Sequence, residues 1–123
     1  MAQKLSSRQL QQLSFLEQLP LKFANISKVI EQMAVLQADD AAIRGMCRQL
    51  DEIKAGAAQM SMSALADTAG NMVTIGRRTG GQQMRVRGLR ELLGSLKVNY
   101  EGAVRAASTP ERQSGTGQVA EPE

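Results

Sequence analysis

The chain is organised around the stretch from Asp40 to Arg78, which has the sequence DAAIRGMCRQLDEIKAGAAQMSMSALADTAGNMVTIGRR. Apolar or small residues recur in it at steps of three and four, at Ile43, Met46, Leu50, Ile53, Ala57, Met60 and Ala64. This spacing keeps one stripe on one side of an α-helix, and its mean step of about 3.5 residues suits lengthwise packing against other helices. It predicts a long helix over residues 40–78 that other helices cover.

An earlier stretch carries the same pattern, at Leu16, Leu19, Phe23, Ile26, Ile30 and Met33. It predicts a first helix over residues 6–37, with Ser6 or Ser7 capping its start. Pro20 lies inside this helix, where it removes one backbone hydrogen bond. Two helices, with Pro20 near the start of the second, are one interpretation; because the stripe passes Pro20 in phase, we expect one bent helix.

A third helix is predicted over residues 83–107 from apolar or small residues three and four apart, at Val86, Leu89, Leu93, Leu96, Tyr100, Ala103 and Ala107. Asp39 and Asp40 suit the start of the central helix, because acids there cap it and oppose the positive end of its dipole. Gly70-Asn71 is the expected place for a break in the central helix, since both residues tolerate the left-handed conformation. The other use of its glycines is close approach of two helices.

The composition favours an all-α fold. With 123 residues the chain has the usual size of one domain, and its two Phe, one Tyr and no Trp leave Leu, Ile, Val, Met and Ala to form the core. We predict an antiparallel bundle of three long helices, with coiled-coil-like packing, as one domain over residues 1–107. Residues 108–123 hold only Val119 and Ala120 as apolar side chains, so we expect a disordered acidic tail.

Cys47 is the only cysteine, which rules out an intrachain disulfide. A buried, small apolar side chain is the expected role; a reactive thiol near Arg44 and Arg48 is the alternative.

The first residues lack the apolar core of a secretory signal, and no apolar run has the length of a membrane span. We expect a cytoplasmic protein without a membrane partner.

The sequence argues against catalysis. It contains no histidine, the commonest general base and neutral metal ligand. The acids at Asp39-Asp40 and Asp51-Glu52 are adjacent pairs, whose side chains diverge around a helix instead of converging on one point. We therefore expect a non-enzymatic protein with no catalytic residue, no metal and no cofactor.

The positive charge is concentrated in one segment. Residues 1–67 carry seven basic and seven acidic side chains, whereas residues 68–107 carry seven basic and two acidic ones. No acid lies between Asp67 and Glu91. Arginine clusters bind phosphates and other anions. The candidate contacts for a partner or a phosphate are Arg77, Arg78, Arg85, Arg87 and Arg90.

Three short strings, SALADTAG from Ser63, TIGR from Thr74 and GLRELLGSLKVNY from Gly88, follow one another along the chain. In outline they are similar to phage-repressor-type helix-turn-helix regulators, in which an Ala-Gly turn precedes a recognition helix and a leucine-rich helix closes the domain. The resemblance covers residues 63–100 and implies a turn at Ala69-Gly70. Met72 stands where that family has a small polar residue.

Three helices of unequal length would leave part of the longest stripe uncovered, and a second copy is the simplest cover. We therefore expect a homodimer or larger assembly, and a helical assembly or adaptor protein that binds a protein partner. The self-association candidates are Ile43, Met46, Leu50, Ile53, Met60, Leu89, Leu93 and Leu96. The alternative is a nucleic-acid-binding regulator that uses residues 77–90.

Overall fold

The computed structural model describes residues 4–78 and 81–110, and every regular element within them is an α-helix. The helices are α1 (Ser7–Glu17), α2 (Leu19–Ala34), α3 (Asp40–Gln59), α4 (Ser63–Gly76) and α5 (Gln82–Ser108). The predicted all-α class is confirmed. The predicted number of three helices is wrong, because both of the first two are divided. The predicted tail falls mostly outside the described residues.

The predicted helix over residues 6–37 consists of α1 and α2, separated by Gln18 alone. Gln18 keeps right-handed helical angles, with φ −84° and ψ −14°, and Pro20 occupies the first turn of α2. A helix leaves its first N–H groups without internal partners, so proline costs little there. The two-helix interpretation is therefore the observed one, and the chain leaves α2 through Leu36, whose φ is +60°.

The predicted helix over residues 40–78 is a helical hairpin. It turns at residues 60–62, where Ser61 has a φ of +61° and the Met62 N–H donates to the Ala57 carbonyl over 2.8 Å. A left-handed residue and such a backward hydrogen bond are typical of helix C-termini. After the turn α4 packs along α3. The predicted break at Gly70-Asn71 is wrong, since both residues lie inside α4.

Two predicted helix starts are confirmed. The Ser6 hydroxyl accepts from the Gln9 N–H over 3.0 Å, and the Gln9 side chain accepts from the Ser6 N–H over 3.0 Å, which forms a reciprocal capping box. Asp39 caps α3 by accepting from the Ala42 N–H over 2.8 Å. These bonds satisfy N–H groups that a helix leaves unpaired in its first turn.

The five helices of residues 4–78 and 81–110 enclose one apolar core. The last helix, α5, packs against α1, α2 and α4, while α3 packs against α2 and α4. The edge of one ring meets the face of the other between Phe23 and Tyr100, whose centroids are 5.4 Å apart. The largest fully buried side chains are Leu16, Leu19, Ile26, Ile30, Met33, Met46, Leu50, Ile53, Leu65, Met72, Leu89 and Leu96. The predicted coiled-coil-like geometry stays a prediction.

Two glycines permit close approach between elements. A Cβ atom at Gly56 would overlap the Phe15 ring of α1, and one at Gly76 would lie 2.8 Å from the Cys47 Sγ atom. A side chain at either position would therefore require the Phe15 ring or the Cys47 thiol to shift. Of the two uses considered for these glycines, close packing is the observed one.

No helix among residues 4–78 and 81–110 has both the length and the apolar character that a membrane span requires.

Candidate functional site

Three of the five predicted arginines line one concave surface between α3, the end of α4 and the start of α5. This cleft has a volume of about 620 Å³. Its arginines are Arg44, Arg48, Arg77, Arg78 and Arg85. We call it the arginine cleft; Asp40 and Asp51 also line it, and Ile43, Cys47 and Gly76 supply its uncharged surface.

The α3–α4 hairpin builds the arginine cleft. Arg44 and Arg48 are one turn apart on α3, so their side chains lie on the same face. Arg77 and Arg78 directly follow the last residue of α4. In one continuous helix Arg44 and Arg78 would be about 50 Å apart. The hairpin returns the end of α4 to the first half of α3, and so brings these arginines together.

Sequence reasoning missed Arg44 and Arg48 as members of the site. They are distant in sequence from the basic segment, and the predicted straight helix kept them away from it. Their spacing of four residues beside the apolar stripe was the available signal, because it places two cations on one flank of α3.

Most arginines of the cleft form no ion pair with an acid among the described residues. Arg77 donates from Nη2 to Asp51 Oδ2 over 2.5 Å, and both side chains are largely exposed. Exposed pairs of this kind contribute little to stability. Within the part of the chain that the structure describes, no ion pair or hydrogen bond engages the side chains of Arg44, Arg48 or Arg78.

Arg85 is fixed to the wall of the cleft by neutral groups. Its Nη2 atom donates to the Gly76 carbonyl over 2.7 Å, and its Nη1 atom donates to Gln82 Oε1 over 3.3 Å. Its Nε atom is buried and has no hydrogen-bond partner among the described residues. Arg85 is thus held in position without an acidic partner among the described residues.

Cys47 lies beneath these arginines and is only 3% exposed. Burial raises the pKa of its thiol; the cations of Arg77 and Arg85 oppose this shift, while the Asp51 carboxylate adds to it. Because burial prevails, the thiol stays protonated near neutral pH. The structure agrees with the expected buried role and not with a reactive thiol.

The other two predicted arginines face elsewhere. Arg90 binds Glu31 of α2 through two hydrogen bonds of 2.9 and 2.5 Å. This contact lowers the pKa of Glu31 and raises the pKa of Arg90, mainly through the side-chain hydrogen bond. Arg87 and Arg90 border a separate groove with Leu36 and Val86. The basic segment therefore supplies two different surfaces.

The predicted self-association residues belong mostly to the core of a single chain. Six of them are buried, namely Met46, Leu50, Ile53, Leu89, Leu93 and Leu96. Ile43 and Met60 are partly exposed. The expectation that one chain leaves a long stripe uncovered is wrong, because α4 folds back onto α3. Self-association itself stays a prediction.

The turn implied by the helix-turn-helix resemblance is absent from the described part of the chain. Ala69 and Gly70 lie inside α4, and the same helix continues through Thr74 and Ile75. The first turn after Ala69 follows Gly76, too late for the turn of that family. The turn that the resemblance implied at Ala69-Gly70 is therefore wrong. The arginines alone remain as the basis for the nucleic-acid alternative.

The chemistry that the cleft offers is anion binding. Guanidinium groups donate to carboxylate and phosphate oxygens, often through two parallel hydrogen bonds. Among residues 4–78 and 81–110, no group of three or more Cys, Asp or Glu side chains is placed to hold a metal ion.

No protein-family model matches the chain, and no curated protein or solved structure matches it significantly.

Proposed function

We propose that this protein is a non-enzymatic, cytoplasmic helical adaptor that binds an acidic segment of a partner protein in the arginine cleft. The observation that supports it is a set of three arginines, Arg44, Arg48 and Arg78, that share one concave surface and form no ion pair with an acid among the described residues. Like charges held close together repel one another, and an anionic ligand offsets that repulsion because it attracts each of them.

The shape and charge of the cleft favour a protein segment. A concave surface encloses a side chain and excludes water around it, which strengthens hydrogen bonds to the guanidinium groups. Asp40 lies on the same surface, one turn before Arg44. Its carboxylate would repel the successive anionic groups of a uniformly charged polymer. A single anionic group can instead bind among the arginines.

Fluorescence anisotropy with a labelled, glutamate-rich peptide tests the proposal. Replacing Arg44→Ala and Arg48→Ala together is expected to weaken binding about 10-fold or more, since two charge-assisted contacts are lost. The matched control is the double variant Lys28→Ala and Lys97→Ala, which removes the same charge at exposed positions outside the cleft. An equal loss of peptide affinity in both variants would show that the peptide binds through nonspecific charge attraction.

The second candidate function is nucleic-acid binding, which the convergence of arginines from α3, α4 and α5 supports. Duplex DNA of arbitrary sequence should then bind at low salt, and the logarithm of its affinity should fall linearly with the logarithm of salt concentration. In the Arg44→Ala, Arg48→Ala variant, the magnitude of this slope should decrease by about 2. Absence of binding at low salt would eliminate this function.

Self-association belongs to the proposal as well. Of the candidate residues, Ile43 and Met60 keep exposed surface and are the ones through which a second copy could pack. Sedimentation equilibrium of the full chain over a range of concentrations tests it, and a constant monomer mass would remove it.

A further inference from the structure

We infer that the anionic group that the arginine cleft selects is a phosphoryl group on a partner's side chain. The inference rests on the proposed function, because it names the ligand of the same cleft. Three features support it: the number of cations without acidic partners among the described residues, their placement on two walls, and the presence of Asp40 in the lining of the cleft.

The charge of the cleft exceeds what one carboxylate can neutralise. Arg77 is paired with Asp51, and Arg85 is held by neutral oxygens. Arg44, Arg48 and Arg78 then present three guanidinium groups without partners among the described residues. A carboxylate has one charge and two oxygens, whereas a phosphomonoester has a charge of about −1.5 to −2 near neutral pH and three terminal oxygens. A phosphomonoester therefore offers the three arginines more negative charge and one more acceptor oxygen than a carboxylate does.

The arginines approach the cleft from two sides. Arg44 and Arg48 extend from successive turns of α3, and Arg78 follows the end of α4. All three are exposed, so their long side chains can close around a ligand. The buried Cys47 beneath them contributes an uncharged surface that does not compete for the guanidinium groups. The volume of about 620 Å³ accommodates a phosphoryl group together with the side chain that carries it.

The acids distinguish a phosphomonoester from the phosphodiesters of nucleic acids. A phosphodiester has a single charge and repeats along a polymer, so a strand lying in the cleft would bring further phosphates toward Asp40, which also lines it. A phosphorylated side chain places its charge at one point, among the arginines. The cleft therefore fits a phosphorylated protein segment better than a nucleic-acid backbone.

The test uses the full chain and three labelled peptides that differ only at the central residue, which is serine, glutamate or phosphoserine. We expect the phosphoserine peptide to bind about 10-fold or more tightly than the glutamate peptide, and the serine peptide to bind most weakly. Lowering the pH through the second phosphate pKa of about 6 should weaken binding of the phosphoserine peptide. Over the same range a glutamate, with an ordinary pKa of about 4.3, largely keeps its charge.

A conservative variant separates phosphate recognition from simple charge. Replacing Arg44→Lys and Arg48→Lys keeps the charge but removes the planar, two-pronged donors. Affinity for the glutamate peptide should fall somewhat, because guanidinium groups also bind carboxylates through two parallel hydrogen bonds. Affinity for the phosphoserine peptide should fall further, so that its preference over glutamate drops to about 2-fold or less. Both residues are exposed, and circular dichroism should confirm an unchanged helical fold.

The possible outcomes distinguish this inference from the proposed function. Equal binding of the glutamate and phosphoserine peptides would overturn the inference and leave the proposed function standing. Failure of all three peptides to bind would overturn both. Tighter binding of duplex DNA than of the phosphoserine peptide would overturn the inference in favour of a phosphodiester ligand.

Discussion

Polar side chains at the two ends of α5 have opposite roles. At the C-terminal end of α5, Gln9 of α1 is 2% exposed and donates from Nε2 to the Thr109 carbonyl over 2.6 Å. Gln12 is also buried and donates to the carbonyl of Met60 in the α3–α4 turn over 2.9 Å. At its N-terminal end, Arg85 lies in the arginine cleft, where most cations form no ion pair with the acids that the structure describes. We call the first region the glutamine end.

The comparison separates polar groups that stabilise the fold from those free to bind a ligand. Buried polar groups need partners, and loss of a partner leaves the other group unsatisfied. Exposed cations remain hydrated, so their removal costs the fold little. We therefore expect substitutions at the glutamine end to change stability, and substitutions in the arginine cleft to change binding.

The largest effect on stability should come from Gln9→Ala. It removes the contact with Thr109 and the capping box with Ser6. The free energy of unfolding should fall by about 2–3 kcal/mol, measured by urea denaturation. Gln11→Ala, at an exposed neighbour, is the control and should change it by less than about 0.5 kcal/mol. Similar values for the two variants would contradict the role of the glutamine end.

The next effect concerns the packing beneath the arginine cleft. Gly76→Ala should lower the free energy of unfolding by about 1–2 kcal/mol, because the new Cβ atom would lie 2.8 Å from Cys47 Sγ. Adding Cys47→Ala should reduce the cost of Gly76→Ala, which a double-mutant cycle measures. Gly94→Ala, with open space around it, should instead stabilise the protein by up to about 1 kcal/mol. Additive effects of the two substitutions would show that the contact carries no strain.

A smaller effect should follow the titration of Cys47. Its pKa is raised in the folded protein, so the unfolded chain loses the thiol proton first as pH rises. The contribution of this group is fully present below the ordinary thiol pKa of 9.0 and is lost as pH rises from that value through the folded pKa. Urea denaturation across this range should show a decline that Cys47→Ala reduces. An identical decline in both proteins would assign it to other groups.

The smallest change in stability should come from Arg44→Ala combined with Arg48→Ala. Neither arginine has an acidic partner among the described residues, and both lie near other cations. The free energy of unfolding should change by less than about 0.5 kcal/mol, while affinity for the acidic peptide falls. A fall in the free energy of unfolding of more than about 1 kcal/mol would mean that these arginines stabilise the fold. The division between stabilising and ligand-binding polar groups would then be wrong.

The apolar spacing predicted the core well because it reports directly which face of a helix is covered. Leu50, Ile53 and Leu89 are fully buried as their stripes indicate. Spacing does not report where a helix turns back. Residues 60–62 contain no glycine, proline or asparagine, and Ser61 adopts its left-handed conformation without the usual sequence signal. Ala64, counted as the last member of the stripe, is exposed.

The candidate site could be predicted only in part for the same reason. The run of arginines after α4 was visible as charge, and it identified Arg77, Arg78 and Arg85. The contributions of Arg44 and Arg48 depend on the α3–α4 turn, which the sequence did not indicate. The pairing of Arg90 with Glu31 depends on how α2 lies along α5. Contacts between distant segments follow from topology, which local patterns do not specify.

The position of α5 has a consequence for the order in which the molecule is assembled during synthesis. The helix α5 is synthesised after α1, α2 and α4, and it contacts all three of them. Until it emerges, the apolar faces that it covers have nothing to pack against, although α3 and α4 can already pair as a local hairpin. The bundle should therefore close only after residues 82–108 have been made, and a nascent chain that stops before them should depend on chaperones to remain free of aggregates.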